Sequence, residues 1–373
     1  MNQVRVSSQI TSRSRTNRAR MLGVILLLEV IGVFIVSEVI ARWWLPSGHH
    51  FIHPQMLMQP SSRRIYDHII NQHAFTIDKP FVTNSLGFRD DREVPAEKDG
   101  EFRILSLGDS MAVGLGVSGE QTYASQLERL LGHRLSKVRV INAAVGSYST
   151  WQEVDLLKEK GVQVRPDIVI LAFCWNDIYI KRLPVVPLPV NLSGEQQDAT
   201  LKYLRLLKRS VLLLFLRERM QILLFKNSPS FDWTHQQMIH EGQSSPYVEQ
   251  AYTEVDTSLE EFGSLARKHG FVPILIILPI PAQVPHLAAP RHMQARIGAM
   301  AAKAGLRTLD VLPVLQHAYA TKSDLFIPWD NVHFSPKGHE VMAEALEEYL
   351  LKEDLVPIQK THGSAHERLQ NSK

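Results

Sequence analysis

From Phe102 onward, short apolar runs alternate with longer stretches in which apolar residues recur every three or four positions. Phe102–Leu107, Val138–Asn142, Asp167–Phe173, Phe271–Leu278 and Leu306–Val311 have the length and content of strands. Asp167–Phe173 is almost wholly apolar, as expected of a strand covered on both faces. Between the runs, Tyr123–Leu135 places Leu127, Leu130 and Leu131 on one helical face, and Trp151–Lys160 carries Val154, Leu156 and Leu157. Tyr247–His269, Arg291–Ala304 and Pro336–Lys352 read as further helices. Strand alternating with helix predicts an α/β three-layer sandwich over about residues 101–353, with a mostly parallel five-stranded sheet and helices on both faces.

Two stretches break the alternation. Residues 45–100, rich in His, Pro and polar side chains, read as an irregular juxtamembrane segment. Residues 181–245 form an insertion too long for an ordinary connection. Its middle, Leu201–Lys226, interleaves Lys202, Arg205, Lys208, Arg209, Arg217, Arg219 and Lys226 with leucines and phenylalanines. Three readings stand: helices packed on the domain, an interfacial helix on an anionic membrane, or a lid over the site. The tail, 354–373, is polar and reads as disordered.

The N-terminal pattern is of another kind. Residues 1–20 carry Arg5, Arg13, Arg15, Arg18 and Arg20 and no acid, and Met21 to Ala41 is then nearly all apolar, with Trp43 and Trp44 following. This predicts a cytoplasmic basic arm, 1–20, and a transmembrane anchor, 21–44, with interfacial aromatics at its end. The arginines orient the N-terminus to the cytoplasm, which makes the chain a single-pass inner (plasma) membrane protein with a periplasmic or extracellular domain. Two other readings stand beside the retained anchor. A cleaved signal peptide is disfavoured by the long apolar run and the lack of an A-x-A site, and an Arg- and Ser-rich transit peptide is the third. Glu29 and Glu38 lie within the run, where an acid costs about 2.5–3.5 kcal/mol at the bilayer centre. Glu38 is near enough to the far interface to snorkel; Glu29 requires a partner or another helix.

Composition narrows the function classes. The 373 residues are 45% hydrophobic, enough for one sizeable core plus an anchor and an insertion. A formal charge of +3 gives no global sign of a nucleic-acid partner. One cysteine, Cys174, excludes an intrachain disulfide framework, and no spaced His/Cys cluster suggests structural zinc.

Four blocks sit where strands end or helices begin. Leu107-Gly108-Asp109-Ser110 closes the first strand, where an open parallel sheet binds its ligands. Asn142-Ala-Ala-Val-Gly146-Ser147 follows the second strand, and a glycine there lets the backbone approach a substrate and offer an N–H. Cys174-Trp175-Asn176-Asp177 follows the third, and Asn176 has a side-chain N–H for a developing oxyanion. Gly146 and Asn176 also suit strand ends as plain turn residues. The last block is Asp330-Asn-Val-His333-Phe-Ser335-Pro336. Ser335 as N-cap and Pro336 at N1 would start the final helix and leave Asp330 and His333 on the loop before it. An acid three residues before a histidine reaches its Nδ1–H, fixes the tautomer, and leaves Nε2 for the serine. Asp232-Trp-Thr-His235 repeats this spacing, but inside the insertion and away from any strand end of the sheet, so Asp330/His333 is preferred. The remaining histidines, His339 among them, read as structural or solvated.

In this order the four blocks resemble the SGNH/GDSL hydrolase family, over about residues 102 to 352 with the insertion interrupting. The stretch Asn84-Ser-Leu-Gly-Phe-Arg89 also looks like the lead-in of a bacterial subgroup that is often membrane-linked. The resemblance implies a flavodoxin-like SGNH hydrolase fold and a serine esterase that needs no cofactor and no metal. Ser110 would be the nucleophile, Asp330 and His333 the acid and base, and Ser110, Gly146 and Asn176 the oxyanion hole. The family usually shows G-x-N-D in the third block; here Cys174 replaces the glycine and Trp175 precedes the asparagine, which alters the pocket shape there. Cys174 reads as a small buried residue rather than a catalytic thiol.

The expected function is hydrolysis of a carboxylic ester through an acyl-enzyme, with an O-acetyl group on an extracytoplasmic carbohydrate as substrate. The partners are then that acylated carbohydrate, the membrane through the N-terminal helix and possible contact through Leu201–Lys226, and no nucleic acid. An O-acyltransferase with the same triad, a lipid esterase and a catalytically silent glycan-binding anchor remain open alternatives.

Overall fold

The computed structural model describes residues 2–44, 55–178, 210–213, 215–216, 231–321, 324–327, 330 and 332–357, with side chains from Arg20 in the first helix and from His235 in the helix that begins at Phe231. Most of Leu201–Lys226, the side chain of Asp232 and the tail from 358 lie outside the described residues. The chain forms two compact units, His53–Asn191 with Ser228–Lys373, and Met1–Ile52 with Leu192–Asn227.

The larger unit is built on five parallel strands: β5 (Phe102–Gly108), β6 (Val138–Asn142), β7 (Ile168–Phe173), β8 (Val272–Ile277) and β9 (Arg307–Asp310), in the order β6-β5-β7-β8-β9. Each strand matches the sequence expectation to within one residue at either end. Alternate side chains enter two cores. Ile104, Ile168, Ile170, Ile274 and Ile276 pack with α2 (Ser110–Val113), α3 (Tyr123–Gly132), α8 (Leu312–Thr321) and α9 (Pro336–Lys352). Leu105, Leu107, Val169, Leu171, Leu275 and Ile277 pack with α4 (Thr150–Glu159), α5 (Phe231–Glu241), α6 (Pro246–His269) and α7 (His292–Ala304). The central strands are apolar on both faces because both are covered. Ser335 caps α9, its Oγ accepting from the N–H groups of Lys337 and Gly338 at 3.2 Å.

Residues 45–100 are not irregular throughout. Two antiparallel hairpins occupy this region, β1 (Met58–Ser61) with β2 (Ile65–His68), and β3 (His73–Thr76) with β4 (Lys79–Val82). They bury Met58, Tyr66, Phe81 and, just beyond, Phe88 in the two cores. Four-residue strands are too short to show a period, and the β-branched Ile65 and Ile77 take positive φ, where turn signals favour Gly or Asn. The insertion likewise ends in regular structure: α5 belongs to the core, through Ile239. At the C-terminus Val356, past Glu353, is buried in the core.

The smaller unit contains α1 (Asn2–Trp44), within which Arg20–Trp44 is long and apolar enough to cross a membrane. Glu29 is exposed on this helix, and nothing among the described residues pairs with it. Glu38 does not project freely: its carboxylate accepts from Ser210 and from the backbone of Val211 and Leu212.

Candidate active site

The site lies beyond the carboxyl ends of β5 and β7, where the strand order reverses. Gly108 ends β5 with φ +150°, and a Cβ on it would come within 2.5 Å of the Ala112 side chain. Only a glycine lets α2 fold back this tightly, and that turn presents Ser110 as the first residue of α2. The Oγ of Ser110 is 2.9 Å from His333 Nε2, and His333 Nδ1 is 2.6 Å from Asp330 Oδ2. The other oxygen of Asp330 accepts from the N–H groups of Val332 (3.0 Å) and His333 (3.2 Å), which locks the loop that carries both side chains. Because a carboxylate only accepts, Nδ1 bears the proton and Nε2 faces the serine as an acceptor. Burial alone would raise the Asp330 pKa, but the ring of His333 and the two backbone donors outweigh it and hold the carboxyl below its usual range.

Asp109 is fully buried beside the serine. Its Oδ1 caps α2 through the Met111 N–H at 2.9 Å, while Oδ2 accepts from Asn176 Nδ2 at 2.7 Å and lies 3.3 Å from Ser110 Oγ. The Ser110 hydroxyl has one proton, so it donates either to Asp109 or to His333. The acceptor-only carboxylate also assigns the Asn176 amide: Nδ2 turns to Asp109, and one Nδ2 hydrogen remains to point elsewhere. Behind Asn176, Asp177 and Glu153 are buried, and burial together with the neighbouring acids holds both well above the usual carboxylate range.

Gly146 follows β6, and the bond from Val145 N–H to the Gly108 carbonyl (2.9 Å) ties its segment to the end of β5. The hydroxyl of Tyr66 donates to the carbonyls of Gly146 (3.2 Å) and Ser147 (2.8 Å). A Cβ at Gly146 would touch only the methyls of Met56 and Met58, at 3.8 and 3.9 Å. Internal packing therefore does not require glycine at this position.

The chain thus brings together Ser110, His333, Asp330 and, through Asp109, Asn176. His235 is elsewhere: buried in α5, its Nε2 donates to the Ile178 carbonyl at 2.5 Å and holds the turn that follows Asn176. His339 is buried in α9, where its Nδ1 accepts from the Tyr123 N–H at 3.2 Å. Cys174 is buried, and that burial, with Asp109 and Asp177 nearby, pushes its thiol pKa up.

Two contributors escaped the sequence reading. Asp109 was legible only as the acid before the serine at a helix start, the position of an N-cap. Arg89 stood in the Asn84–Arg89 stretch without a role. It is buried, and its guanidinium donates to the carbonyls of Val113 (2.5 Å), Gly114 (2.6 Å) and Val117 (2.6 Å), the residues that follow Ser110. Asn84 Oδ1 shapes the turn that aims it, accepting from the N–H groups of Leu86 (3.0 Å) and Phe88 (3.1 Å). The second hairpin supports the same loop, with Thr76 Oγ1 accepting from the Gly116 N–H at 3.1 Å.

Comparison with known proteins identifies the family. A model of the GDSL-like lipase/acylhydrolase family matches residues 106–341. No curated protein sequence matches the chain. Similar solved structures include TesA, at 17% identity and a TM-score of 0.42 over 68% of this chain and 99% of that one. Axe2, an acetylxylan esterase from Geobacillus stearothermophilus, matches at 15% identity and a TM-score of 0.40 over 71% of this chain and 100% of its own. The psychrotrophic esterase EstA from Pseudoalteromonas sp. matches at 14% and 0.40 over 68% and 98%.

Proposed function

Because the chain belongs to the GDSL-like lipase/acylhydrolase family and is a hydrolase acting on ester bonds, we propose that Ser110 is its nucleophile, His333 its base and Asp330 the acid that orients the base. The observation that carries this reading is the continuous chain from Asp330 through the His333 ring to the Ser110 hydroxyl, at 2.6 and 2.9 Å. Ser110 Oγ attacks the ester carbonyl carbon as His333 Nε2 takes its proton. The carbonyl electron pair moves onto oxygen, and that oxyanion is held by the backbone N–H groups of Ser110 and Gly146 and the remaining Nδ2 hydrogen of Asn176. Collapse expels the alcohol, which recovers the proton from His333. Water then repeats the sequence, giving its proton to His333, and the carboxylic acid leaves as Ser110 is restored.

The substrate of this reading is an O-acetyl group on a carbohydrate outside the cytoplasmic membrane. The arginines before the apolar helix argue for a cytoplasmic N-terminus and an outward domain. The resemblance of Asn84–Arg89 to a membrane-linked subgroup supports the same assignment. Labelling of the full chain by a fluorophosphonate tests the nucleophile: it should disappear in Ser110→Ala and fall steeply in His333→Ala, whereas persistent labelling of Ser110→Ala would overturn the assignment. Nitrophenyl acetate should be cleaved faster than nitrophenyl esters of long acids; the reverse order would replace the acetyl reading with a lipid substrate.

A further inference from the structure

A carboxylate in an apolar helix needs an explanation, and Glu38 has a specific one. Its two oxygens accept from Ser210 Oγ (2.8 Å), Val211 N–H (3.0 Å), Leu212 N–H (2.9 Å) and Arg42 Nε (2.8 Å). Ser210 Oγ in turn accepts from the Leu213 N–H at 3.1 Å, so Ser210 and Glu38 together satisfy the leading donors of the helical turn at 211–213. Ala41, one turn along from Glu38, is buried, whereas most of Arg20–Trp44 is exposed.

These contacts set a depth. Glu38 precedes Trp44 by six positions, so it lies about 9 Å along the helix from that ring, on its apolar side. If α1 crosses the membrane with Trp43 and Trp44 at the interface, a segment bonded directly to Glu38 also lies below that interface. The sequence of the segment fits such a place: Val211-Leu-Leu-Leu-Phe-Leu216 is wholly apolar, with Lys208 and Arg209 before it and Arg217 and Arg219 after it. At six residues it is too short to cross a bilayer. An apolar stretch bracketed by cations suits the boundary between acyl chains and anionic headgroups.

We propose that Ser210–Leu216 is a second membrane contact, inserted in the outer interfacial layer of an anionic phospholipid bilayer and latched to the anchor helix through Glu38. The assignment rests on the reading of α1 as a retained span. It gives the insertion a definite partner, the lipid surface, and it explains why an acid at position 38 is tolerated: every oxygen that would otherwise be stranded in hydrocarbon has donors.

The test uses the full chain in vesicles of phosphatidylethanolamine and phosphatidylglycerol, with a carbene photolabel dissolved in the lipid phase and the labelled residues mapped by mass spectrometry. Label is expected in both 21–44 and 211–216. In Glu38→Ala, label in 21–44 should persist while label in 211–216 falls at least fivefold, and fluorophosphonate labelling should be unchanged, showing an intact catalytic unit. Replacing Lys208, Arg209, Arg217 and Arg219 by Gln should reduce label in 211–216 several-fold. Wild-type label confined to 21–44 would overturn the second contact and leave the anchor standing. Absence of label from 21–44 would overturn the anchor itself. Full label at 211–216 in Glu38→Ala would overturn the latch, and full label there in the Gln variant would overturn the anionic-lipid assignment.

Discussion

Asn176 Nδ2 lies 2.7 Å from Asp109 Oδ2, so the acid that precedes Ser110 in sequence sets the direction of a side chain that arrives from the end of a different strand. The same carboxylate caps the helix that starts at Ser110. One buried acid therefore orients both the proposed nucleophile and one proposed oxyanion donor. Asn176→Ala is expected to lower kcat by about 10²–10³, the usual loss for one such donor. Asp109→Asn keeps an N-cap acceptor but removes the carboxylate that aligns Asn176, and kcat should fall with little change in KM. Because the two residues act as a unit, the double variant should be about as slow as Asn176→Ala alone; losses that multiply would show that Asp109 works by another route.

Arg89 holds three backbone carbonyls after Ser110, from a position with little solvent and no carboxylate bonded to it among the described residues. Its guanidinium fork matches several carbonyls at once, which an ammonium cannot do. Arg89→Lys should fold and bind substrate normally but lose about tenfold in kcat, and added guanidinium should restore part of the loss in Arg89→Ala. A variant with reduced thermal stability but unchanged kcat would mark Arg89 as a purely structural residue.

Gly146→Ala separates packing from chemistry. The added methyl meets only two flexible methionine ends at ordinary contact distance, so melting temperature should change little. If the Gly146 N–H faces the substrate, the methyl intrudes on that side and kcat/KM should fall at least tenfold. Unchanged kinetics would remove Gly146 from the site.

Two buried histidines give the fold a pH limit. Burial lowers the pKa of His339 to about 3, with Arg89 and His333 adding to the effect, and burial lowers that of His68 to about 4 against the opposing bond from the Gly87 carbonyl. Each binds its proton more weakly folded than unfolded. Their contribution is therefore complete above about pH 6.5 and is lost as pH falls toward the folded values, at up to about 1.4 kcal/mol per pH unit for each ring. The melting temperature should drop between pH 6.5 and 4.5, and His339→Gln, which can still accept from the Tyr123 N–H, should flatten that slope by about half. An unaltered slope in that variant would place the proton uptake elsewhere.

The five strands and their flanking helices could be read from the chain because their information is local. Apolar runs of six or seven residues, Leu spacing of three or four, and a Ser-Pro pair at the start of α9 specify elements whatever they pack against. The hairpins at 58–82 could not be read this way. Their strands are four residues long and two of their turns use isoleucine at positive φ, a conformation sustained only by contacts such as the paired bonds between Gln55 and Ile77.

At the site, sequence alone determined the candidates: a serine after Gly108-Asp109, a glycine and an asparagine after later strands, and an Asp-x-x-His before the last helix. It could also rank Asp330/His333 above Asp232/His235 by position relative to strand ends. Only the tertiary structure decided which groups touch. It set His333 against Ser110 across 223 positions of chain, gave His235 to the Ile178 carbonyl, bound Asn176 to Asp109, and turned Arg89 from an unexplained motif residue into the clamp behind the helix that starts at Ser110. The physical reason is one of range. Helical and strand periods are set by neighbours a few residues apart, whereas a hydrogen bond between distant residues exists only after the sheet order β6-β5-β7 has brought their strand ends to one edge.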